Sequence, residues 1–214
     1  MNTSNAPIRI LIVDDHPVVQ MGLTSMLNTH DGIEVIGSAS GGREALKMLE
    51  QKNPHILLLD LRMPGMNGIE TLQAMQKMKS TARAIVLTSF ETDENIYRAV
   101  QAGAQGYLLK DTSEQQMLEA IKSVHAGKRF IPSEIAARLA DRMLRSNLTA
   151  RELEILTMLA KGLTNKEIGS ALSISENTVR NHLKCVMSKL EVSDRTEAVA
   201  VAIQQGIIQI SQYY

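Results

Sequence analysis

A chain of 214 residues with 44% apolar side chains is long enough to bury two modest cores. Lys and Arg number 23, as do Asp and Glu, so bulk charge favours neither a polyanionic nor a polycationic partner. The single cysteine, Cys185, excludes an internal disulfide and a multi-cysteine zinc site; with no apolar run of ~18 residues and no leader-like start, a cytoplasmic protein without a membrane span is expected.

Short apolar runs alternate with amphipathic ones over the first 126 residues. Ile8–Val13, Ile33–Gly37, Ile56–Leu59, Ala84–Thr88 and Gly106–Leu109 read as strands, most of them continuously apolar, as strands covered on both faces are. Helical stretches are expected at 16–28, 42–51, 68–78, 93–102 and 113–126. In the last, Met117, Leu118, Ile121 and Val124 recur on one helical face. This alternation predicts an α/β domain, a doubly wound, five-stranded parallel sheet.

A helix-capable connector follows, Ser133 to Leu144, introduced by Pro132; residues 127–147 carry five basic side chains against two acidic. Four short helices are then predicted over 150–160, 165–172, 176–190 and 194–205. Thr149 with Glu152 and Thr164 with Glu167 have the spacing of capping boxes, while Ser175 and Ser193-Asp194 mark two further starts. The organisation read here is 1–126, 127–146 and 147–214: an α/β domain, a helical linker and an all-α domain.

In a doubly wound parallel sheet, ligands bind beyond the carboxyl ends of the strands, where strand order reverses. Asp14 and Asp15 follow the first strand and Asp60 the third, so adjacent strands would bring three carboxylates together. Their repulsion calls for a cation, and hard oxygen donors suit Mg²⁺. Thr88 ends the fourth strand and Lys110 follows the fifth, adding a hydroxyl and an ammonium at the same rim. Singly, each has an ordinary role: turn former, strand-end hydroxyl, solvated charge. Jointly they are the parts needed to take up a phosphoryl group on a carboxylate.

Asp14-Asp15, the run Asp60-Leu-Arg-Met-Pro-Gly-Met-Asn-Gly68, Thr88-Ser-Phe and Tyr107-Leu-Leu-Lys110 resemble the receiver domain of response regulators over residues 8–126. The resemblance implies that Asp60 accepts phosphate from the phosphohistidine of a sensor histidine kinase. It implies that Asp15, Asp60 and the Arg62 carbonyl hold Mg²⁺, with Asp14 acting through water. Lys110 would pair with the phosphoryl oxygens, and Thr88 would move toward the phosphate and let Tyr107 swing inward. Many receivers place a cis proline after the lysine, whereas this chain has Asp111, which leaves the isomer of the Lys110–Asp111 bond open. Phe90, near where water would attack, is expected to slow loss of the phosphate.

Residues Leu163 to Leu183 have helix-turn-helix spacing. Gly169 stands where two helices must approach, Leu172 and Ile174 flank the turn, and Val179 plugs the second helix onto the first. That second helix has Val179, Leu183, Val186, Met187 and Leu190 as its buried stripe. Its other face carries Asn177, Arg180, Asn181 and Lys184, able to reach bases or phosphates. Arg180, Lys184 and Lys189 against Glu176 give the helix a net +2 within a segment, residues 148–214, whose charges sum to zero.

Leu148 to Leu156, Gly162 to Ile168, Ser175 to Val179 and Lys189 to Val192 resemble the LuxR-type domain of NarL/FixJ regulators. This resemblance implies that Arg180, Asn181 and Lys184 read the major groove of double-stranded DNA while Lys166 and Thr178 hold backbone phosphates. His182 and Cys185 lie three apart on one helix but lack further metal ligands nearby, so His182 is assigned to DNA or solvent and Cys185 to filling a gap.

The combined expectation is a transcription factor of the two-component type, a homodimer when phosphorylated, with no enzyme activity beyond Mg-dependent transfer of phosphate to its own aspartate. Two rivals differ in kind. A phosphatase would need a second acid two residues after the nucleophile, where this chain has Arg62. A phosphorylation-independent DNA-binding regulator would use the receiver only as a dimer interface, and the complete acidic set argues against it.

Overall fold

The computed structural model describes residues 6–89, 92–144 and 148–208. The elements run β1 (Ile8–Val13), α1 (Pro17–Leu27), β2 (Ile33–Ala39), α2 (Gly42–Lys52), β3 (Ile56–Leu59), α3 (Gly68–Lys77), β4 (Arg83–Thr88), α4 (Asp93–Gln101), β5 (Gly106–Leu109) and α5 (Glu114–His125). After these come α6 (Ser133–Leu144), α7 (Ala150–Ala160), α8 (Asn165–Leu172), α9 (Glu176–Leu190) and α10 (Arg195–Gln204). Two compact units result. One comprises Met1–Glu91 with Ile96–Ala137, the other Thr92–Asn95 with Arg138–Tyr214.

The first unit is built on a parallel sheet in the order β2-β1-β3-β4-β5. Strand residues alternate between the two faces of the pleat. Ile10, Ile12, Ile56, Leu58, Ile85, Leu87 and Leu108 form one core with Leu27 of α1 and Met117, Ala120, Ile121 and Val124 of α5. The intervening Leu11, Val13, Leu57, Leu59 and Val86 are equally buried on the opposite face. Burial on both faces explains the unbroken apolar runs. β2 is two residues longer than expected, because Ser38 and Ala39 still pair with Ile12 and Val13 at the end of β1. β4 starts one residue earlier, where Arg83 pairs with Ile56.

The second unit packs α7–α10 around Ile155, Leu156, Leu159, Ile168, Val179, Leu183, Val186, Ala198 and Ala202. Its helix starts are fixed locally. Thr149 and Thr164 close reciprocal capping boxes with Glu152 and Glu167, Ser175 accepts the Thr178 N–H, and Asp194 accepts those of Thr196 and Glu197. Each such cap contributes about 1 kcal/mol. Val179, Leu183 and Val186 are buried as expected, with Met187 and Leu190 only partly covered. Gly169 is needed for a close approach, but to the turn rather than to a helix: a Cβ there would lie 2.8 Å from the Ile174 carbonyl oxygen. Ser173, at the turn, takes the left-handed conformation with φ 53°. No described helix is long and apolar enough to cross a membrane.

Candidate functional site

Register brings the acids together. Val13 pairs with Leu59 at the ends of β1 and β3, and the Asp60 N–H donates to the Val13 carbonyl at 2.8 Å. Asp14 and Asp60 therefore leave the sheet side by side. β2 lies on the other side of β1, so this crevice is where the strand order reverses. On the far side of β3, Thr88 pairs with Leu109, and the Lys110 N–H donates to the Thr88 carbonyl at 2.8 Å.

Both Asp14 and Asp60 are buried, at 2% and 5% exposure, and Lys110 Nζ lies 2.6 Å from Oδ2 of each. Burial by itself would lower the Lys110 pKa. Its hydrogen bonds to Asp14 and Asp60, reinforced by their charge, outweigh that and hold the ammonium above its ordinary 10.5. Asp60 Oδ1 accepts the Arg62 N–H at 3.2 Å. Gly68 opens α3 directly against this loop, where a Cβ would fall 2.4 Å from the Asp60 carbonyl oxygen and 2.7 Å from Leu61 Cα.

Asp15 is only partly buried, yet its Oδ1 is enclosed and accepts no hydrogen bond. An enclosed, unsatisfied carboxylate oxygen beside two further carboxylates is the donor chemistry of a hard divalent cation. Asp14, Asp15, His16 and Asp60 each offer one ligand atom, all within 4.8 Å of one another. The residues present fit Mg²⁺.

The remaining predicted receiver residues are placed as follows. Thr88 is buried at the end of β4, and Tyr107 on β5 is buried with its ring inward. The Lys110–Asp111 bond is trans, since no cis bond occurs among the described residues. Phe90 lies outside the described residues. His16 was not singled out from sequence, although it directly follows the acid pair. Gln20 was missed too: its Nε2 donates to the Asp14 carbonyl at 2.6 Å and to that of Ala39 at 3.1 Å, fixing the loop that carries the acids.

In the second unit, Lys166, Arg180, Asn181 and Lys184 are exposed. Arg180 Nη2 rests on Glu176 Oε1 at 3.1 Å, one turn back. Thr178 is half-buried and its Oγ1 lies 2.8 Å from Ser175 Oγ within the cap. Cys185 is exposed, so it does not fill a gap. Its position on α9 turns away from the stripe of Val179, Leu183 and Val186, and periodicity about that stripe would have shown this. Lys189 reaches across to Glu152 of α7, Nζ to Oε2 2.7 Å, tying the far end of α9 to the capping box of α7.

A family profile for the response regulator receiver domain matches residues 10–122, and one for bacterial regulatory proteins of the luxR family matches 146–202. The chain is 38% identical over 208 residues to the response regulator protein VraR of Staphylococcus saprophyticus, spanning 95% of this chain and 100% of that one. With the VraR of Staphylococcus aureus it shares 39% over 207 residues, 94% of this chain and 99% of the other. Among solved structures, the response regulator ChrA of a heme-sensing two-component system is 39% identical with a TM-score of 0.57, covering 95% and 100% of the two chains. The RcsB response regulator of Salmonella typhimurium is 25% identical with a TM-score of 0.72, covering 90% and 98%. The chain belongs to the response regulators that join a receiver domain to a LuxR-type DNA-binding domain and regulate transcription in two-component systems.

Proposed function

We propose that Asp60 is the phosphoacceptor of this regulator. In the transfer, the N–P bond of a sensor kinase's phosphohistidine breaks as an Asp60 carboxylate oxygen bonds to phosphorus, and the imidazole leaves. Lys110 then keeps an anionic partner in the phosphoryl oxygens. Asp15, Asp60 and the Arg62 carbonyl would hold Mg²⁺, with Asp14 acting through water. The ion, when bound, neutralises charge on the incoming phosphoryl group. Thr88 contributes its hydroxyl to the phosphoryl group, and Tyr107 on the neighbouring strand responds to it. The observation that carries this reading is Lys110 bridging two buried carboxylates next to an unsatisfied third.

Phosphorylation of the receiver, residues 1–126, promotes a homodimer whose LuxR-type domains, residues 147–214, bind double-stranded DNA. Arg180, Asn181 and Lys184 reach base edges and Lys166 and Thr178 the backbone. Turning a mostly inactive population into a mostly active one takes about 5.5 kcal/mol of differential stabilisation. The experiment is phosphotransfer from a small phosphodonor, followed by DNA binding, for wild type and Asp60→Asn. Wild type is expected to take up phosphate and gain DNA affinity; the variant does neither. Phosphate-dependent DNA binding in Asp60→Asn would overturn the assignment.

A further inference from the structure

His16 stands at the mouth of the acidic cluster, where its Nδ1 is hydrogen-bonded to Asp14 Oδ1 at 3.2 Å. It occupies the position before α1, yet its side chain makes no capping hydrogen bond. Its backbone N–H donates to Asp14 Oδ1 at 2.8 Å, which anchors the residue whatever its side chain. The ring turns toward the carboxylates, with Nδ1 at 2.9 Å from Asp15 Oδ1 and 3.2 Å from Asp14 Oδ1, while the side chain stays 65% exposed.

The Lys110 ammonium and the His16 ring divide the carboxylate oxygens between them. Lys110 takes Oδ2 of Asp14 and of Asp60, so the Oδ1 atoms of Asp14 and Asp15 face the imidazole. Asp15 Oδ1 has the right distance to Nδ1 but not the geometry of a hydrogen bond. An octahedral ion with bonds of about 2.1 Å sets its donors about 3.0 Å apart when adjacent and about 4.2 Å when opposite. The four atoms, one each from Asp14, Asp15, His16 and Asp60, lie within 4.8 Å of one another, so small movements suffice for Asp15, His16 and Asp60 to meet one ion with Asp14 behind a water.

We infer that His16 is a nitrogen ligand of the divalent-ion site, which tunes it toward first-row transition ions. The inference rests on the metal reading given under Proposed function and specifies which ions that site prefers. Carboxylates and waters suit Mg²⁺, which gains little from an imidazole. Co²⁺, which lies above Mn²⁺ in the affinity order of first-row divalent ions, gains more from an imidazole. A receiver with carboxylates alone would discriminate less among these ions, whereas one with His16 favours Co²⁺ over Mg²⁺.

The test titrates full-length protein with Mg²⁺, Mn²⁺ and Co²⁺ by calorimetry, for wild type, His16→Ala and Asp15→Asn. Pulsed electron paramagnetic resonance of the Mn²⁺-loaded proteins accompanies it. Asp15→Asn marks which part of the binding belongs to this site rather than to other histidines. His16→Ala is expected to lower the ratio of Co²⁺ to Mg²⁺ affinity at least tenfold. It should also erase the ¹⁴N modulation of a bound imidazole that wild type displays. Wild type that binds Mn²⁺ with no such modulation, or a ratio unmoved in the variant, overturns the role of His16 and leaves the carboxylate site standing. Binding that is absent from wild type, or indifferent to Asp15→Asn, overturns the carboxylate site and the ligand role together.

Discussion

Each unit of this regulator contains a lysine that reaches across elements to a buried acid, and the two arrangements differ in their charge balance. In the receiver, Lys110 bridges Asp14 and Asp60 while Asp15 keeps an enclosed oxygen without a hydrogen bond. In the LuxR-type domain, the Glu152 carboxylate is matched by Lys189 and by the Thr149 N–H, each at 2.7 Å. Three acids around one lysine leave unspent attraction for a cation and a phosphoryl group. A carboxylate already satisfied by its cap and its lysine leaves none, and serves to hold α9 against α7. Imbalance marks chemistry here, and balance marks architecture.

The largest effect on this contrast should come from Lys110→Met. Leaving buried carboxylates without their ammonium costs about 3–5 kcal/mol. Thermal unfolding in chelator should show the receiver losing roughly that stability, with Mg²⁺ restoring part of it. An unchanged transition would mean that the site is not electrostatically frustrated.

Next comes DNA binding. If each subunit of the dimer neutralises about three phosphates, log affinity falls against log salt with a slope near −5, and Lys166→Ala should make it shallower by about two. Equal slopes in fluorescence anisotropy titrations would remove Lys166 from the phosphate backbone.

Glu152→Gln probes the balanced pair and should cost about 2–3 kcal/mol in the second unit's unfolding. Burial pushes the Glu152 pKa up, but hydrogen bonds from Lys189 and Thr149 more than reverse this, so it ends below 4.5. Its contribution is therefore complete above the unfolded value and disappears as pH falls through the lower folded one. Melting curves across that acid range should be flatter for the variant; parallel curves would show that the pair contributes nothing.

The smallest effect concerns His125 at the end of α5, whose ring lies 5.0 Å from that of His55. Burial, the His55 ring and the Arg83 guanidinium all lower its pKa below 6.5. A depressed histidine favours the native state above the unfolded value, and that advantage declines as pH drops below it. The receiver's melting temperature should decline below pH 6.5, and His125→Gln should reduce the decline.

The fold was legible because burial writes itself into the chain in two ways. Strands covered on both faces are uniformly apolar, as Ile56–Leu59 shows, and helix starts carry side-chain caps, as Thr149 and Thr164 show. The end of β2 was hidden because Ser38 interrupts the apolar signal after Gly37, although the backbone continues to pair through Ala39. The acids Asp14, Asp15 and Asp60 were legible once strand order was assumed, since each adjoins a strand end. His16 was not, because a histidine before a helix has no distinctive periodicity and its relevance depends on the direction of a ring. Cys185 is exposed because its angle on α9 carries it away from the buried stripe, and that angle outweighs the apolar character of a thiol. Likewise α1 is apolar on more than one side, so only packing reveals that Val18 and Met21 are exposed at 81% and 72% while Leu27 is covered.

The abutment of Gly68 on the Asp60 carbonyl gives the regulator a mechanical handle on its own output. A single methyl there would have to push the main chain beneath Asp60, the proposed phosphoacceptor, aside by about an ångström, and misplacement on that scale can slow a reaction about a hundredfold. Signal strength in such a molecule can thus be attenuated without altering any charge, and a hydrogen atom at one helix start keeps it at full volume.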